Sequence, residues 1–166
     1  PESLEQCISF LTSNPDFAAV AGQSYLFSMS RNSKLGWIGW NQFPELLHDD
    51  ASARFNQICH NYVVPMYCVM HSKYWTRIWL NVESIPEQGF SSEIIPAMRL
   101  SIIGKIKSLP IPYLLREMHG KRTKLVSGKD YKNLSNFKET LLASRVILED
   151  EFRYNTCIIN NNYFDL

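Results

Sequence analysis

The sequence lacks several features that would place it directly in a class of proteins. Its 166 residues contain no run of eighteen apolar residues, so no membrane-spanning helix is predicted. Its four cysteines are widely spaced and form no Cys-x-x-Cys pair, which argues against a zinc site; they are Cys7, Cys59, Cys68 and Cys157. Reduced thiols in the interior of a cytoplasmic protein are the simplest interpretation of these residues.

Motifs of three large groups of enzymes are also absent. The sequence contains no Gly-x-Ser-x-Gly, no phosphate-binding P-loop and no Gly-x-Gly-x-x-Gly. Hydrolases with a nucleophile elbow, nucleoside triphosphatases and dinucleotide-binding enzymes therefore lack support. No Asp-x-Asp occurs either. The net charge of +1 provides no broad basic surface, so we predict no nucleic-acid partner.

What the sequence does contain is typical of an ordinary globular domain. Apolar residues make up 45% of the chain and charged residues 20%, and 166 residues are enough to bury a sizeable core. Predicted helices and strands alternate along the chain, which indicates an α/β fold. We expect a mixed, Rossmann-like sheet flanked by helices, with a long C-terminal helix.

Hydrophobic spacing predicts five helices. They cover residues 3–13, 51–62, 72–82, about 93–103, and 134 to about 154. Ser3 is predicted to cap the first helix, and Asp49 or Asp50 the second. Gly104 is predicted to end the fourth helix in a left-handed conformation.

Alternating and β-rich segments predict four strands, over residues 17–22, 23–30, 63–70 and 106–115. Gly22 is predicted to end the first strand, and Pro65 to delay the start of the third. Pro110 and Pro112 predict that the last strand is bulged or lies at a sheet edge. Residues 35–40, LGWIGW, are predicted to form a loop or an edge strand.

The stretch from Phe90 to Arg122 contains the strongest candidate for a functional site. Glu93 falls in the first turn of the fourth helix, with Ser91 or Ser92 as the cap. A carboxylate there could serve as a general base. The alternative is that it only stabilises the helix dipole, by about 0.3–1 kcal/mol.

A cationic cluster follows the last predicted strand. Arg116 and Lys121 could bind phosphate, and a neutral His119 could bind a divalent metal. The alternative is an ordinary solvated basic loop. Because ligands of open α/β sheets bind outside the strand ends, we expect Glu93 and His119 to converge on one cavity.

Other polar clusters have simpler explanations. Capping accounts for Asp49 and Asp50, and the acidic run 149–151 is expected to be a solvated helix face. His60 and His71 are single residues without an evident partner, and both are expected to be structural.

Three segments together resemble the later half of a family-2-like glycosyltransferase domain of the GT-A type. SLEQCISFLTSNPDFAAVAGQSYLF is similar to the helix and strands that follow the family's Asp-x-Asp. NYVVPMYCVMHSKYW is similar to a strand, polar turn and helix of that family. SSEIIPAMRLSIIGKIKSLPIPYLLRE is similar to its acceptor-side helix, Gly-Lys turn and strand. The resemblance covers roughly residues 3–119.

The resemblance implies transfer of a sugar, with inversion, from a nucleotide-sugar donor to a glycan or lipid-linked acceptor. Glu93 would be the base that deprotonates the acceptor hydroxyl. His119 would bind Mg²⁺ or Mn²⁺, and Arg116 and Lys121 would bind the diphosphate. By family habit the enzyme would assemble bacterial surface polysaccharide or lipopolysaccharide, in the cytoplasm or peripherally at the inner membrane face.

The sequence departs from the family in ways that shape these expectations. Asp-x-Asp and the Gln-x-x-Arg-Trp of processive members are both absent. Because the chain begins with Pro1 and opens directly into a helix, we expect a piece of a longer protein, inactive without an N-terminal donor half. Residues 1–132 would form the acceptor-side portion and 133–166 a helical extension. The alternatives are a non-catalytic binding module with the same fold, or another nucleotide-binding α/β enzyme.

Overall fold

The computed structural model describes residues 2–29, 34–60, 65–85, 93–117 and 142–155. The strands are β1 (Phe17–Met29), β2 (Leu35–Asn41), β3 (Val69–Met70) and β4 (Lys105–Glu117). The helices are α1 (Glu2–Ser13), α2 (Ala51–His60), α3 (Ser72–Trp79), α4 (Ile95–Ile103) and α5 (142–155). These elements form a mixed, open sheet flanked by helices, which confirms the predicted α/β class.

The sheet is organised around β1. β4 runs parallel to β1 along one edge, from Phe17 opposite Lys105 to Phe27 opposite Glu117. β2 and β3 pair antiparallel with the two halves of the other edge. Because parallel neighbours need a long crossover, the chain between β1 and β4 supplies three of the helices.

The two faces of the sheet are covered by different helices. Ala19 and Ala21 of β1 belong to a core cluster with α2, α3 and α4. Val20, between them, belongs to a second cluster with Cys7 and Leu11 of α1. Since successive side chains of a strand point to opposite faces, α1 covers one face and α2 to α4 cover the other. Among the described helices, none is long and apolar enough to cross a bilayer.

The start of α1 differs from the prediction. Ser3 lies inside the helix, and its hydroxyl donates to the carbonyl of Pro112 in β4 at 2.5 Å instead of capping the first turn. Leu4 and Ile8 share the helical spacing of the apolar residues in this segment, yet they are about half exposed at 51% and 56%. Contact with β4 rotates α1 so that Cys7 and Leu11 face the sheet.

The prediction of two strands in 17–30 was wrong, because β1 is continuous through Gly22. A Cβ at Gly22 would lie 2.4 Å from the Cβ of Tyr113 and 2.7 Å from the carbonyl oxygen of Ile111. Gly22 therefore permits close approach of β4 and does not end the strand.

Gly22→Ala is expected to destabilise the protein by about 1–3 kcal/mol, because backbone and Cβ atoms would have to move apart. Gly36→Ala is the matched control: its Cβ would meet the Ser28 hydroxyl oxygen at 2.9 Å, a terminal atom that can rotate away. Its effect is expected to stay within about 0.5 kcal/mol. Urea denaturation of both variants gives the comparison, and equal losses would contradict this role of Gly22.

The proline-rich part of β4 forms the predicted bulge. Ala21 pairs with Ser108, and Gln23 pairs with Pro112. A step of two residues along β1 is therefore matched by a step of four residues along β4. The extra residues of β4 accommodate prolines that cannot donate to a ladder.

The connection from α4 to β4 is a single residue, Gly104. Its backbone is extended, with φ −174° and ψ −176°, so the predicted left-handed cap was wrong. A Cβ at Gly104 would lie 3.0 Å from the Cβ of Ala18 and 3.1 Å from its amide nitrogen. The glycine is selected by this close packing at the N-terminal edge of the sheet.

α2 begins at the predicted cap and is hydrogen-bonded to the C-terminus of α4 through Arg54. The Ala53 amide donates to the Asp50 carboxylate at 2.7 Å. Arg54 is 4% exposed and donates to the carbonyls of Ser101 and Ile102 at 2.7 and 2.9 Å. The last carbonyls of a helix lack partners within it, so Arg54 caps the C-terminus of α4.

Lys105, at the start of β4, pairs with two carboxylates. Its Nζ lies 2.9 Å from Asp16 Oδ2 and 2.7 Å from Asp49 Oδ1. Hydrogen bonding to Lys105 lowers the pKa of Asp49 below its ordinary 3.8. Hydrogen bonding to Asp49, and to a lesser extent to Asp16, raises the pKa of Lys105 above 10.5.

The Asp49 contribution to stability is present above pH 3.8 and lost as pH falls through its lowered pKa. The Lys105 contribution is present below pH 10.5 and lost as pH rises through its raised pKa. Asp49 is 95% exposed, so salt screens the interaction.

α5 packs with a face that the apolar pattern did not predict. Ser144, Ile147 and Glu151 are buried, whereas Leu142 and Val146 are 54% and 59% exposed. Glu151 was expected in a solvated run, and that expectation was wrong. The predicted boundary between residues 132 and 133 lies outside the described residues.

Candidate functional site

The C-terminal ends of β1 and β4 meet at one edge of the sheet because the two strands are parallel. Tyr25 is opposite Leu115, Leu26 opposite Arg116 and Phe27 opposite Glu117. In open α/β sheets this edge is where ligands bind. The candidate site is therefore built on the last residues of these two strands.

A row of large side chains crosses this edge. Trp40 of β2, Tyr25 of β1 and Leu115 of β4 are in register on three adjacent strands. Trp40 is 58% exposed and Leu115 is 69% exposed. The Tyr25 hydroxyl donates to Gln23 Oε1 at 3.1 Å, on the face shared with Ala19 and Ala21. The row thus lies on the face that carries α2 to α4.

Arg116 is exposed and lies within β4, which continues two residues past the predicted strand end at Leu115. Its guanidinium lies 5.7 Å from the centre of the Tyr67 ring, which is within the range of a cation–π contact. Tyr67 belongs to the 3-10 turn Pro65–Tyr67, and this turn contacts α4. The turn therefore links the cationic end of β4 to the helix that follows Glu93.

Glu93 is half-buried, and it and Ile94 are π-helical and directly precede α4. α4 starts with Pro96 among its first two residues, a position where the missing amide hydrogen costs nothing. The C-terminal end of α4 is fixed at the N-terminal edge of the sheet by Gly104. The nine residues of α4 rise about 14 Å, so Glu93 and Gly104 lie at opposite ends of this helix.

His119 and Lys121 lie outside the described residues, as do Ser91 and Ser92. Convergence of Glu93 with His119 therefore stays a prediction. Within the described ranges, no group of three His, Cys, Asp or Glu side chains could hold a metal ion. That part of the chain therefore supplies no complete set of metal ligands.

Beneath α4 lies a charged cluster that the sequence did not reveal. Glu151 of α5 is 2% exposed, binds the guanidinium of Arg77 in α3, and accepts from Arg99 Nε of α4 at 3.1 Å. Arg99 Nη1 also donates to the Leu80 carbonyl at 2.6 Å. We call Arg77, Arg99 and Glu151 the Arg–Glu–Arg cluster. It joins three helices on the side of the molecule that carries Glu93.

Two features of the sequence could have indicated that these side chains are buried, although no prediction was drawn from them. Arg99 is the lone charge in the otherwise apolar IIPAMRLSII, and a lone charge among apolar residues is buried only when it is paired. Ser144, Ile147, Glu151 and Asn155 recur at spacings of three and four residues, which marks one helix face. The partner of each charge is remote in sequence and could not be identified from it.

Comparisons of the chain with known protein families, with curated proteins and with solved structures found no match.

Proposed function

We propose that this chain is the acceptor-side part of an inverting, GT-A-type glycosyltransferase. The observation that carries the proposal is the placement of Glu93 and Arg116. One is a half-buried carboxylate before α4, and the other a cation at the C-terminal end of β4, the strand that α4 leads into. The α/β core and the aromatic row of Trp40 and Tyr25 support it, since aromatic side chains suit the apolar faces of sugars.

In the proposed reaction, Glu93 accepts the proton of the acceptor hydroxyl. The acceptor oxygen attacks the anomeric carbon from the face opposite the leaving group. The bond between that carbon and the nucleotide phosphate breaks, so the configuration inverts, and the leaving group takes the bonding electron pair. Arg116 would offset the negative charge that develops there.

The remaining groups of this proposal come from outside the described residues. Lys121 would add a second positive charge near the leaving phosphate, and His119 would contribute one ligand to Mg²⁺ or Mn²⁺. The metal would supply Lewis-acid stabilisation of the leaving group. A donor half carrying Asp-x-Asp would complete the site within a longer protein that works in the cytoplasm.

A donor screen of the complete encoded protein tests the proposal. One class of UDP-, GDP- or CMP-sugar with Mn²⁺ is expected to stabilise the protein by RT ln(1 + [L]/Kd), about 2.7 kcal/mol at one hundred times Kd. Arg116→Met is expected to weaken that donor, whereas Arg153→Met, at a 76% exposed arginine of α5, serves as the control. The sugar product, followed by NMR, should have inverted configuration.

Two outcomes would redirect this assignment. A folded protein that no nucleotide sugar stabilises would support a non-catalytic binding module with the same fold. Binding of a nucleotide without its sugar, with no transfer to any acceptor, would support a different nucleotide-binding enzyme.

A further inference from the structure

A groove lies between the last turn of α3 and the 3-10 turn Val82–Ser84. The chain reverses here because Leu80 is extended and Asn81 is left-handed, with φ 61°. The groove has a volume of about 480 Å³ and is broadly open to solvent. We call it the Trp groove; its walls are Trp75, Thr76, Trp79, Leu80, Asn81 and Glu83.

Two indoles form the apolar part of the Trp groove. Trp75 and Trp79 are four residues apart on α3, so their side chains lie on one face of the helix. Their ring centres are 5.5 Å apart and their planes are inclined by 57°. Trp75 is 43% exposed and Leu80 is 55% exposed. Clustered large apolar side chains on a surface mark sites of interaction.

The polar groups of the Trp groove have hydrogen-bonding capacity left over. In the described part of the chain, the side chains of Asn81 and Glu83 have no hydrogen bond or ion pair. Trp79 Nε1 is buried and has no acceptor among the same residues. The Thr76 hydroxyl donates to the Ser72 carbonyl at 3.1 Å, which leaves its oxygen able to accept. The Thr76, Asn81 and Glu83 side chains are exposed, so a polar occupant of the groove can reach them, whereas the buried Trp79 Nε1 is closed to it.

We propose that the Trp groove binds a neutral hexopyranose unit of a glycan. One face of such a ring presents C–H groups that pack on an indole, and its edge carries hydroxyls that both donate and accept. Glu83 would accept from hydroxyls, the Asn81 amide would do both, and Thr76 would accept. Among the described residues that line the groove, Glu83 is the one that carries a charge, so phosphate-bearing ligands are repelled and neutral ones are not.

This site is separate from the proposed transfer site and does not depend on it. The Arg–Glu–Arg cluster supports its wall, because Arg99 holds the Leu80 carbonyl directly before Asn81. Arg77, on the same helix, is engaged by Glu151 and by the Tyr154 ring at 3.8 Å. Its charge is therefore directed to α5, and it does not line the Trp groove.

The test is titration of the complete chain with maltohexaose, cellohexaose and chitohexaose, followed by the indole N–H signals in ¹H–¹⁵N NMR spectra. At least one of these neutral sugars is expected to shift the Trp75 and Trp79 signals saturably, with a dissociation constant of about 1 mM, a weak affinity. UDP is expected to leave both signals in place.

Variants locate the binding. Trp75→Ala is expected to weaken it at least about tenfold, whereas Leu35→Ala, at a 72% exposed apolar residue of β2, should not change it. Asn81→Gly removes the amide yet keeps the left-handed backbone, and it should weaken binding about two- to tenfold without loss of the fold. Glu93→Gln should leave binding intact, which separates this site from the transfer proposal.

Three results would overturn the inference. These are no shift with any of the sugars at about ten times the expected dissociation constant, a shift that persists in Trp75→Ala, or equal binding of UDP at the same indoles. Shifts produced only by an apolar helical peptide would likewise replace the glycan with a protein partner.

Discussion

Replacing Glu93 by glutamine in the complete protein is expected to lower kcat by about 10²- to 10⁴-fold, with little change in KM. Glutamine keeps the shape of the side chain but cannot accept the proton of the acceptor hydroxyl. Binding of donor and acceptor does not need that proton transfer, so the loss should fall on kcat. Initial rates over a range of acceptor concentrations measure both constants.

The control for Glu93→Gln must separate catalysis from helix stabilisation. Glu5 is an exposed acid in the first turn of α1, and Glu5→Gln should cost about 0.3–1 kcal/mol of stability with no effect on kcat. If Glu93→Gln behaves in the same way, losing some stability and keeping near wild-type turnover, then Glu93 is not the base. The remaining function of Glu93 would then be to stabilise the start of α4.

Replacing Glu151 by glutamine is expected to destabilise the protein by about 3–5 kcal/mol. The substitution removes the negative charge between Arg77 and Arg99, leaving two guanidiniums close together with side chains only 22% and 7% exposed. Removal of one partner from a buried ion pair is costly because the other charge stays desolvated. Urea denaturation, monitored by far-UV circular dichroism, measures the loss.

The matched control is Glu149→Gln on the same helix. Glu149 is 45% exposed and pairs with Arg145 one turn away, so its loss should cost less than about 0.5 kcal/mol. A double-mutant cycle of Arg77→Met with Glu151→Gln should give a coupling of about 0.5–3 kcal/mol. Equal stability of the two single glutamine variants, with no coupling in the cycle, would show that the Arg–Glu–Arg cluster does not hold α5 in place.

The helices were predictable because their signals are local. The spacing of apolar residues located α2, α3 and α4 within a few residues, and Asp50 caps α2 as expected. The prolines of β4 predicted its bulge, since a residue without an amide hydrogen cannot continue a regular ladder anywhere. Each of these features is fixed by residues at most a few positions apart.

The glycines show where local reasoning failed. Gly22 and Gly104 were expected to end a strand and a helix through their own conformational freedom. At both positions another part of the chain lies where a Cβ would be: Tyr113 leaves no room for one at Gly22, and Ala18 would be in tight contact with one at Gly104. A glycine in the sequence is compatible with either reason, the end of an element or close packing against a neighbour. Only the position of the packed neighbour distinguishes them.

The candidate site was likewise predictable only in part. The order of Glu93, α4, Gly104, β4 and Arg116 along the chain placed an acid before a helix and a cation after a strand. That the edge also carries Trp40, Tyr25 and Leu115 in one row depends on the register of three strands, which the sequence does not encode locally.

By itself, the sequence determined the alternation of helices and strands, the capping of α2 and the irregularity of β4, because periodicity and backbone chemistry act over a few residues. Tertiary structure alone decided that β1 runs unbroken, that Arg54 caps α4 and that Glu151 is buried between two arginines. Those outcomes depend on pairs of groups up to about a hundred residues apart. The free energy of such a contact depends on both residues, so it cannot be inferred from the sequence around either one alone.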